Sequence, residues 1–325
     1  MTSQEEGRIK EWNDELFDDI KISLIITEDK RTTELKDFCS DLSHLAPKLN
    51  IVNERGDKKE LPCIKVDDSI RYHGVPLGTE LEPFLLTLSG HLKRDFRVST
   101  NIRERLDQLS ISVELELYVS QQCPVCPSVI RQVTPLSFLF ERIKLAIIDC
   151  VLFPEKAQSN RIQSVPTVIF DKQFRWTGPM QLDELIETIM NPDPAALRVS
   201  YFERMLEGGD ALEVAQMMLD KEMIFPQFLE LLVIDKWSVR MGAAVAMEEI
   251  SENNQRLAAR VIGPLWNQFD NLKDPIKDDI LYIFGKIRND EAEARLKEVL
   301  NGQYNPEVKE AAREALEAYE AGGEI

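Results

Sequence analysis

Two cysteines one helical turn apart stand in Gln122-Cys123-Pro124-Val125-Cys126-Pro127, directly after the apolar run Val113 to Val119. A strand leading into two thiols at this spacing suits disulfide exchange. If Cys123 caps the helix that begins here, unpaired backbone N–H groups and the positive end of the helix dipole favour its thiolate, the attacking species. Cys126, nearly a turn further in, is then the more shielded sulfur and can resolve a mixed disulfide formed by Cys123. Pro124 and Pro127 have no N–H to donate. Both fit a first turn in which such groups lack helical partners anyway, and they stiffen the approach to the helix. Half of a zinc site has the same spelling. Zinc takes four ligands, however, and neither Cys39, Cys63 and Cys150 nor the three histidines supply a second pair at ligand spacing. The sequence thus favours a redox site over a metal site.

Glu116 precedes Cys123 within the apolar positions Leu115, Leu117 and Val119, which would leave it mostly buried in a central strand. Burial raises a carboxylate's affinity for a proton, so Glu116 is a candidate acceptor for the Cys126 proton during resolution. A carboxylate reaching solvent, or an ion-pair partner beside Glu114, fits the same residues. Cys39 in mid-helix, Cys63 after Pro62 and Cys150 at the end of a strand read as small buried hydrophobes. His44, His73 and His91 are isolated and carry no assigned role.

The elements that position the dithiol belong to an internal repeat. Glu60-Leu61-Pro62-Cys63-Ile64-Lys65-Val66 matches Ser164-Val165-Pro166-Thr167-Val168-Ile169-Phe170 at an offset of 166 − 62 = 104. The same offset carries Arg71-Tyr72-His73-Gly74 onto Arg175-Trp176-Thr177-Gly178. Each copy reads as a strand, a turn, a strand, a glycine and an amphipathic helix, Glu80 to Thr87 in one and Leu182 to Met190 in the other. Upstream lie a strand and a helix, Ile20 to Thr27 with Thr32 to Leu45, and Val113 to Ser120 with Cys126 to Phe140. A third strand follows in each, Asn50 to Asn53 and Ile143 to Asp149. The order is βαβ then ββα, twice, with a short helix Asn101 to Leu109 introducing the second copy.

With Cys-x-x-Cys at the first strand-to-helix junction and a proline before the third strand, this order resembles the thioredoxin fold. Two such folds in tandem resemble the amino-terminal domain of the flavoprotein subunit of alkyl hydroperoxide reductase. The archaeal glutaredoxin-like protein disulfide oxidoreductases are more distantly similar. The likeness is carried by Arg71-Tyr72-His73-Gly74-Val75-Pro76-Leu77-Gly78, by Glu116-Leu117-Tyr118-Val119-Ser120 running into the dithiol, and by Ser164-Val165-Pro166. It covers roughly Glu15 to Pro192. Aligning Ile26-Thr27 with Val119-Ser120 puts Lys30 and Thr33 where the second copy has its cysteines. The first copy therefore has no dithiol and is expected to brace the second or line a partner groove.

The resemblance implies that Pro166 is a cis proline facing the sulfurs, leaving the Val165 backbone to pair with an extended segment of a substrate. An ordinary proline at a strand start is the other reading of Pro166. Val165, Pro166 and Pro124 are thus the expected partner-binding residues. It also implies electrons arriving from a separate flavin-dependent reductase and passing to a protein disulfide such as that of a peroxiredoxin. The chain has no Gly-x-Gly-x-x-Gly fingerprint, so it is not expected to draw electrons from a nicotinamide nucleotide itself; a redox-active disulfide, with no further cofactor, is the expectation.

From Asn191-Pro192-Asp193-Pro194 onward helical periodicity replaces the α/β pattern. Val239, Ala243, Ala246, then Ile276, Ile280, Ile283, Phe284, then Val308, Ala312, Ala315, Leu316 form a weak repeat. Each first member is followed by a base: Arg240, Lys277, Lys309. The spacings, 276 − 239 = 37 and 308 − 276 = 32, resemble HEAT repeats, although a generic helical bundle shares the periodicity. The expected architecture is α/β followed by all-α, with thioredoxin-like folds over 15–98 and 99–192 and a HEAT-like α-solenoid over 193–325.

Composition narrows the function classes. At 325 residues, 43% hydrophobic and 30% charged, the chain can bury several cores without disulfide staples. A net charge of −18 opposes nucleic-acid binding and points to protein partners. The amino terminus is polar, no apolar run reaches membrane-spanning length, and five cysteines suit a reducing compartment, so a cytoplasmic protein is expected. The leading expectation is a thiol:disulfide oxidoreductase. The competing class is a non-catalytic assembly protein whose helical repeats bind a partner and whose disulfide is regulatory.

Overall fold

The computed structural model describes residues 1–57, 60–96, 99–109 and 112–321. The expected unit boundaries at residues 98 and 325 lie outside the described residues. The chain divides into two units, Met1–Pro192 and Asp193–Ile325.

In the first unit the elements run α1 (Ser3–Glu15), β1 (Ile20–Ile26), α2 (Thr32–Leu45), β2 (Leu49–Arg55), β3 (Cys63–Lys65) and β4 (Ile70–His73). A 3₁₀ turn, Gly78–Glu80, then leads into α3 (Leu81–Leu88), α4 (His91–Asp95) and α5 (Thr100–Asp107). The second copy follows as β5 (Val113–Val119), α6 (Cys126–Leu139), β6 (Ile143–Asp149), α7 (Pro154–Ser159), β7 (Thr167–Phe170), β8 (Phe174–Thr177) and α8 (Leu182–Met190).

The strands form one eight-stranded sheet in the order β2-β1-β3-β4-β6-β5-β7-β8. Each copy contributes four strands, three of its pairings alike: parallel between its first two strands, antiparallel in the rest. The copies join through a parallel pairing of β4 with β6, Ile70 opposite Leu145 and Tyr72 opposite Ile147. The short strand β4 and the seven-residue strand β6, which would otherwise be exposed edges, thereby cover one another. Their apolar side chains support this, since Ile70, Tyr72, Leu145 and Ile147 are all buried. The dithiol-bearing copy is therefore not a free-standing sheet; its β6 edge is completed by the other copy.

The second unit contains α9 (Val199–Glu207), α10 (Ala211–Asp220), α11 (Pro226–Leu231), α12 (Trp237–Asn253), α13 (Gln255–Ala258), α14 (Ile262–Phe269), α15 (Asp274–Lys286), α16 (Asp290–Asn301) and α17 (Pro306–Ala321). α10 packs on α12, α12 on α15, and α15 on α17. Contacts recur at the turns before these helices: Lys273 Nζ pairs with Asp235 at 2.5 Å, and Asn305 bonds Asp274. Gly285 lets α15 and α17 approach closely, because a Cβ there would lie 2.7 Å from the Ala315 carbonyl oxygen. Arg240 is buried, with its Nε 2.6 Å from Asp279 of α15 and Nη1 2.7 Å from the Ile234 carbonyl. Lys277 is also buried, near the rings of Phe269 and Tyr304. No helix among the described residues is long and apolar enough to cross a membrane.

Candidate functional site

β5 is a central strand whose apolar residues hold it between β6 and β7, and it delivers the chain to the dithiol at one end of the sheet. The turn after it is closed by Cys123 N–H donating to Ser120 O at 3.0 Å. The helix α6 starts at Cys126, with Val125 at its N-cap and Pro127 within its first turn. Cys123 therefore precedes the cap position anticipated for it. Its sulfur nevertheless accepts the Cys126 N–H at 3.0 Å, which uses one of the helix's unpaired donors. Any negative charge developing on Cys123 Sγ is stabilised by that donor and by the helix dipole.

Cys123 and Cys126 are joined as a disulfide with their Cα atoms 5.5 Å apart. The two sulfurs differ in access: Cys123 is 8% exposed and Cys126 is 0%. The Val165–Pro166 peptide is cis, and the Val165 carbonyl oxygen lies 3.6 Å from Cys123 Sγ. Val165 and Pro166 are thus brought to the dithiol from the start of β7. Pro124 lies between the two cysteines, in the turn leading to α6. In the first copy, Pro62 occupies the matching place without a cis bond.

The first copy reaches into the site. Thr79 N–H donates to Gln121 O at 3.0 Å, and the Thr79 hydroxyl lies 3.0 Å from the carbonyls of both Gln121 and Cys123. Gln121 Nε2 answers by donating to Val75 O at 2.7 Å. Gly78 makes this contact possible. Its φ is +61°, and a Cβ there would stand 2.6 Å from the Gln121 carbonyl oxygen. Gly78→Ala is expected to lower the stability measured by urea unfolding by about 1–2 kcal/mol from the left-handed backbone alone. The displaced carbonyl adds to that loss and loosens the loop that carries Cys123. An unchanged urea midpoint would remove Gly78 from this role.

Next to Thr79 is Glu80, a residue to which sequence reasoning gave no role. It is fully buried, and its Oε2 accepts the hydroxyl of Tyr72 while Oε1 has no hydrogen-bond partner. Burial pushes its carboxyl up to about 8, the Tyr72 bond opposes this, and the charge of Asp149 adds to it. Asp149, buried at the end of β6, is also raised by burial, against N–H groups of Val151 and Leu152 donated to Oδ1. The Gly78–Glu80 turn and α3 pack against α6, which begins at Cys126. The signal in sequence lay two residues beyond Arg71–Gly78, where Tyr72 and Glu80 form the pair.

Glu116 is half-buried, and its Oε2 accepts the Tyr118 hydroxyl at 2.7 Å. Tyr118 packs with Ile148, Phe153 and Ile169, and its oxygen also accepts Asn160 Nδ2 at 2.6 Å. Glu116, with Glu114, lines a cleft beside Asp171 and Lys172. Its carboxylate is engaged there by Tyr118.

At the corresponding corner of the first copy, Arg31 takes the place of chemistry. It is paired with Asp29 at 2.5 Å, donates to Leu152 O at 3.1 Å, pairs with Glu155 at 2.7 Å and lies over the Phe153 ring. The dithiol-free loop thus holds the second copy. Cys39, Cys63 and Cys150 carry free thiols, each pushed up to about 12, first of all by burial, so they stay protonated at neutral pH. Among the described residues no group of three His, Cys, Asp or Glu is arranged to hold a metal.

A sheet of two four-stranded repeats with Cys-x-x-Cys at a strand-to-helix junction and a cis proline facing it is a thioredoxin-like arrangement. Comparison with known proteins agrees. The chain is 27% identical over 172 residues to the F component of alkyl hydroperoxide reductase from Xanthomonas campestris pv. phaseoli, covering 51% of this chain and 32% of that protein. It is 24% identical over 173 residues to a protein named NADH dehydrogenase in Bacillus subtilis, covering 52% of this chain and 34% of that one. The chain spans about a third of the length of these relatives. In structure it is similar to the NTD_N/C domain of alkyl hydroperoxide reductase AhpF from Enterococcus faecalis. That match has a TM-score of 0.50 at 18% identity and covers 58% of this chain and 99% of the domain. A protein disulfide oxidoreductase from Aeropyrum pernix gives 0.51 at 12% identity, covering 60% and 95%. These structural matches establish the thioredoxin-like fold. No protein-family model matches the chain.

Proposed function

We propose that this chain is a thiol:disulfide oxidoreductase acting on protein partners through Cys123 and Cys126. The observation that carries the reading is a disulfide whose more accessible sulfur lies beside the Val165 carbonyl at a cis proline. In the reduced protein, the Cys123 thiolate attacks one sulfur of a partner disulfide, forming a mixed disulfide and releasing the other partner sulfur as thiolate. Cys126 gives its proton to a carboxylate, for which we name Glu80, buried on the turn that packs against α6, with Glu116 as the alternative. It then attacks Cys123 Sγ, leaving the partner as a dithiol and this chain oxidised. Val165 and Pro166, with Pro124 alongside, hold the partner strand by backbone pairing. No cofactor beyond the disulfide takes part in these steps.

Two electrons must be returned to restore the dithiol. We assign that task to a separate flavin-dependent reductase and name a peroxiredoxin as the partner disulfide, because the Xanthomonas relative is named for hydroperoxide reduction. A cytoplasmic setting fits a dithiol that must be kept reduced. The second unit reads as stacked HEAT-like repeats, supported by the recurring turn contacts Asp235–Lys273 and Asp274–Asn305.

The test is equilibration of the full chain in glutathione or dithiothreitol buffers, with free thiols trapped by alkylation. A thiol count changing by two, at a potential near or below the cytosolic poise, is expected for a donor. Dithiothreitol-driven reduction of insulin should be accelerated by the wild type and not by Cys123→Ser. A thiol count that does not change, together with no acceleration, would overturn the reading in favour of an assembly protein.

A further inference from the structure

The helical unit carries a groove that its own fold leaves unfilled. α12, α15 and α17 lie in a row, and across them runs a depression of about 790 Å³. Its floor is apolar at positions facing solvent: Met241, Val245 and Tyr282 are 44%, 43% and 46% exposed. Trp237, 63% exposed, precedes Met241 by one turn, so Trp237, Met241 and Val245 form a stripe along α12. Ala311 and Ala318 of α17 extend the floor.

The rim is acidic, with Asp278 on α15 and Glu307, Glu310 and Glu314 on α17. Among the described lining residues Lys286 alone is basic, and it is held by Glu248 at 3.2 Å. Asp278 Oδ1 is buried without a hydrogen-bond partner, and its carboxyl is raised by burial and by the charges of Asp274, Asp279 and Glu307. Crowded carboxylates beside an apolar floor repel one another until a cation arrives.

We propose that this groove docks a basic amphipathic helix of a partner protein. Its apolar stripe would lie on Met241, Val245 and Tyr282, and its lysine or arginine flank against Asp278, Glu307 and Glu314. Residues exposed at i, i+4 and i+8 beside a neighbouring helix form the receiving half of a helix-in-groove contact. A second copy of this chain is a poor occupant, since a net charge of −18 would be brought against an acidic rim. Nucleic acid is disfavoured by the same charge.

The experiment is fluorescence anisotropy on the full-length oxidised protein with three labelled model peptides. One is a leucine–lysine helix with the residues segregated to two faces, one has the same composition scrambled, and one has glutamate in place of lysine. Saturable binding of the first alone is expected. Val245→Glu, at a half-exposed site, and separately the pair Glu307→Lys and Glu314→Lys, on exposed positions, should each weaken it about tenfold or more. Neither should alter the thermal midpoint or the Cys123/Cys126 thiol titration. Absence of saturable binding, equal binding of the scrambled peptide, tight binding of the acidic peptide or unchanged affinity in both variants would each overturn the proposal. So would a self-association of the wild type that Val245→Glu abolishes, because the occupant would then be a second copy.

Discussion

Cys126→Ser is expected to accumulate a mixed disulfide through Cys123 and to turn over roughly a hundredfold more slowly or worse. The asymmetry of the sulfurs predicts this. Cys123 is the one an incoming disulfide can meet, with an N–H donor on it and the Val165 carbonyl beside it, whereas Cys126 is sealed at 0% exposure. With serine at 126 the first exchange still occurs, but no thiolate remains to displace the partner. Mass spectrometry after mixing the reduced variant with a disulfide-linked peptide should find one peptide half added at Cys123. Cys123→Ser should add none on the same timescale, because its remaining thiol is buried. An adduct forming equally well on Cys126 would reverse the assigned roles, and identical turnover of both variants and the wild type would end the mechanism.

How much of this site is legible in the sequence follows from which interactions are local. The dithiol, its prolines and the strand before it are contiguous, and the apolar runs that became β5 and β6 mark their own limits: Val113–Val119 and Ile143–Asp149 match the expected strands to within a residue. Pro166 was accessible only through the repeat and the family resemblance. The β4–β6 pairing was not legible, because a short strand such as Ile70–His73 has the same alternation whether it is an edge or an interior strand. Glu80 was hidden for a related reason. An acid at the start of a helix ordinarily faces solvent and complements the dipole, and only the packing of the Gly78–Glu80 turn against α6 takes its carboxylate out of water. Arg240 is marked in the sequence only as a base recurring in the repeat, and its burial follows from Asp279 of α15 being brought against it. By contrast α1 was overlooked although Thr2 and Glu5 form a capping box, because its polar residues obscure the few that are buried, Ile9 and Trp12.

Glu80→Gln should separate the two carboxylates considered for the Cys126 proton. With its carboxyl pushed up to about 8, Glu80 is largely protonated at pH 7, and its ionised fraction grows about tenfold per pH unit up to that value. Resolution by Cys126 should accelerate over the same range in the wild type. In Glu80→Gln it should be roughly a hundredfold slower near pH 8 and should lose that rise. Glu116→Gln should keep both rate and profile, since the Glu116 carboxylate is engaged by Tyr118. Stability supplies an independent readout with a definite sign. The folded carboxyl holds its proton more tightly than an ordinary one at 4.5, so the contribution is fully present below about pH 4.5 and is lost as pH rises through about 8. At about 1.4 kcal/mol per tenfold in proton affinity, that loss is on the order of 5 kcal/mol. Urea unfolding at pH 5 and above pH 8 should show Glu80→Gln gaining on the wild type by this order at the higher pH. A parallel pH dependence in the two proteins would show that Glu80 is not the titrating group. A slowed, pH-flattened Glu116→Gln beside an unaffected Glu80→Gln would return the proton to the strand carboxylate.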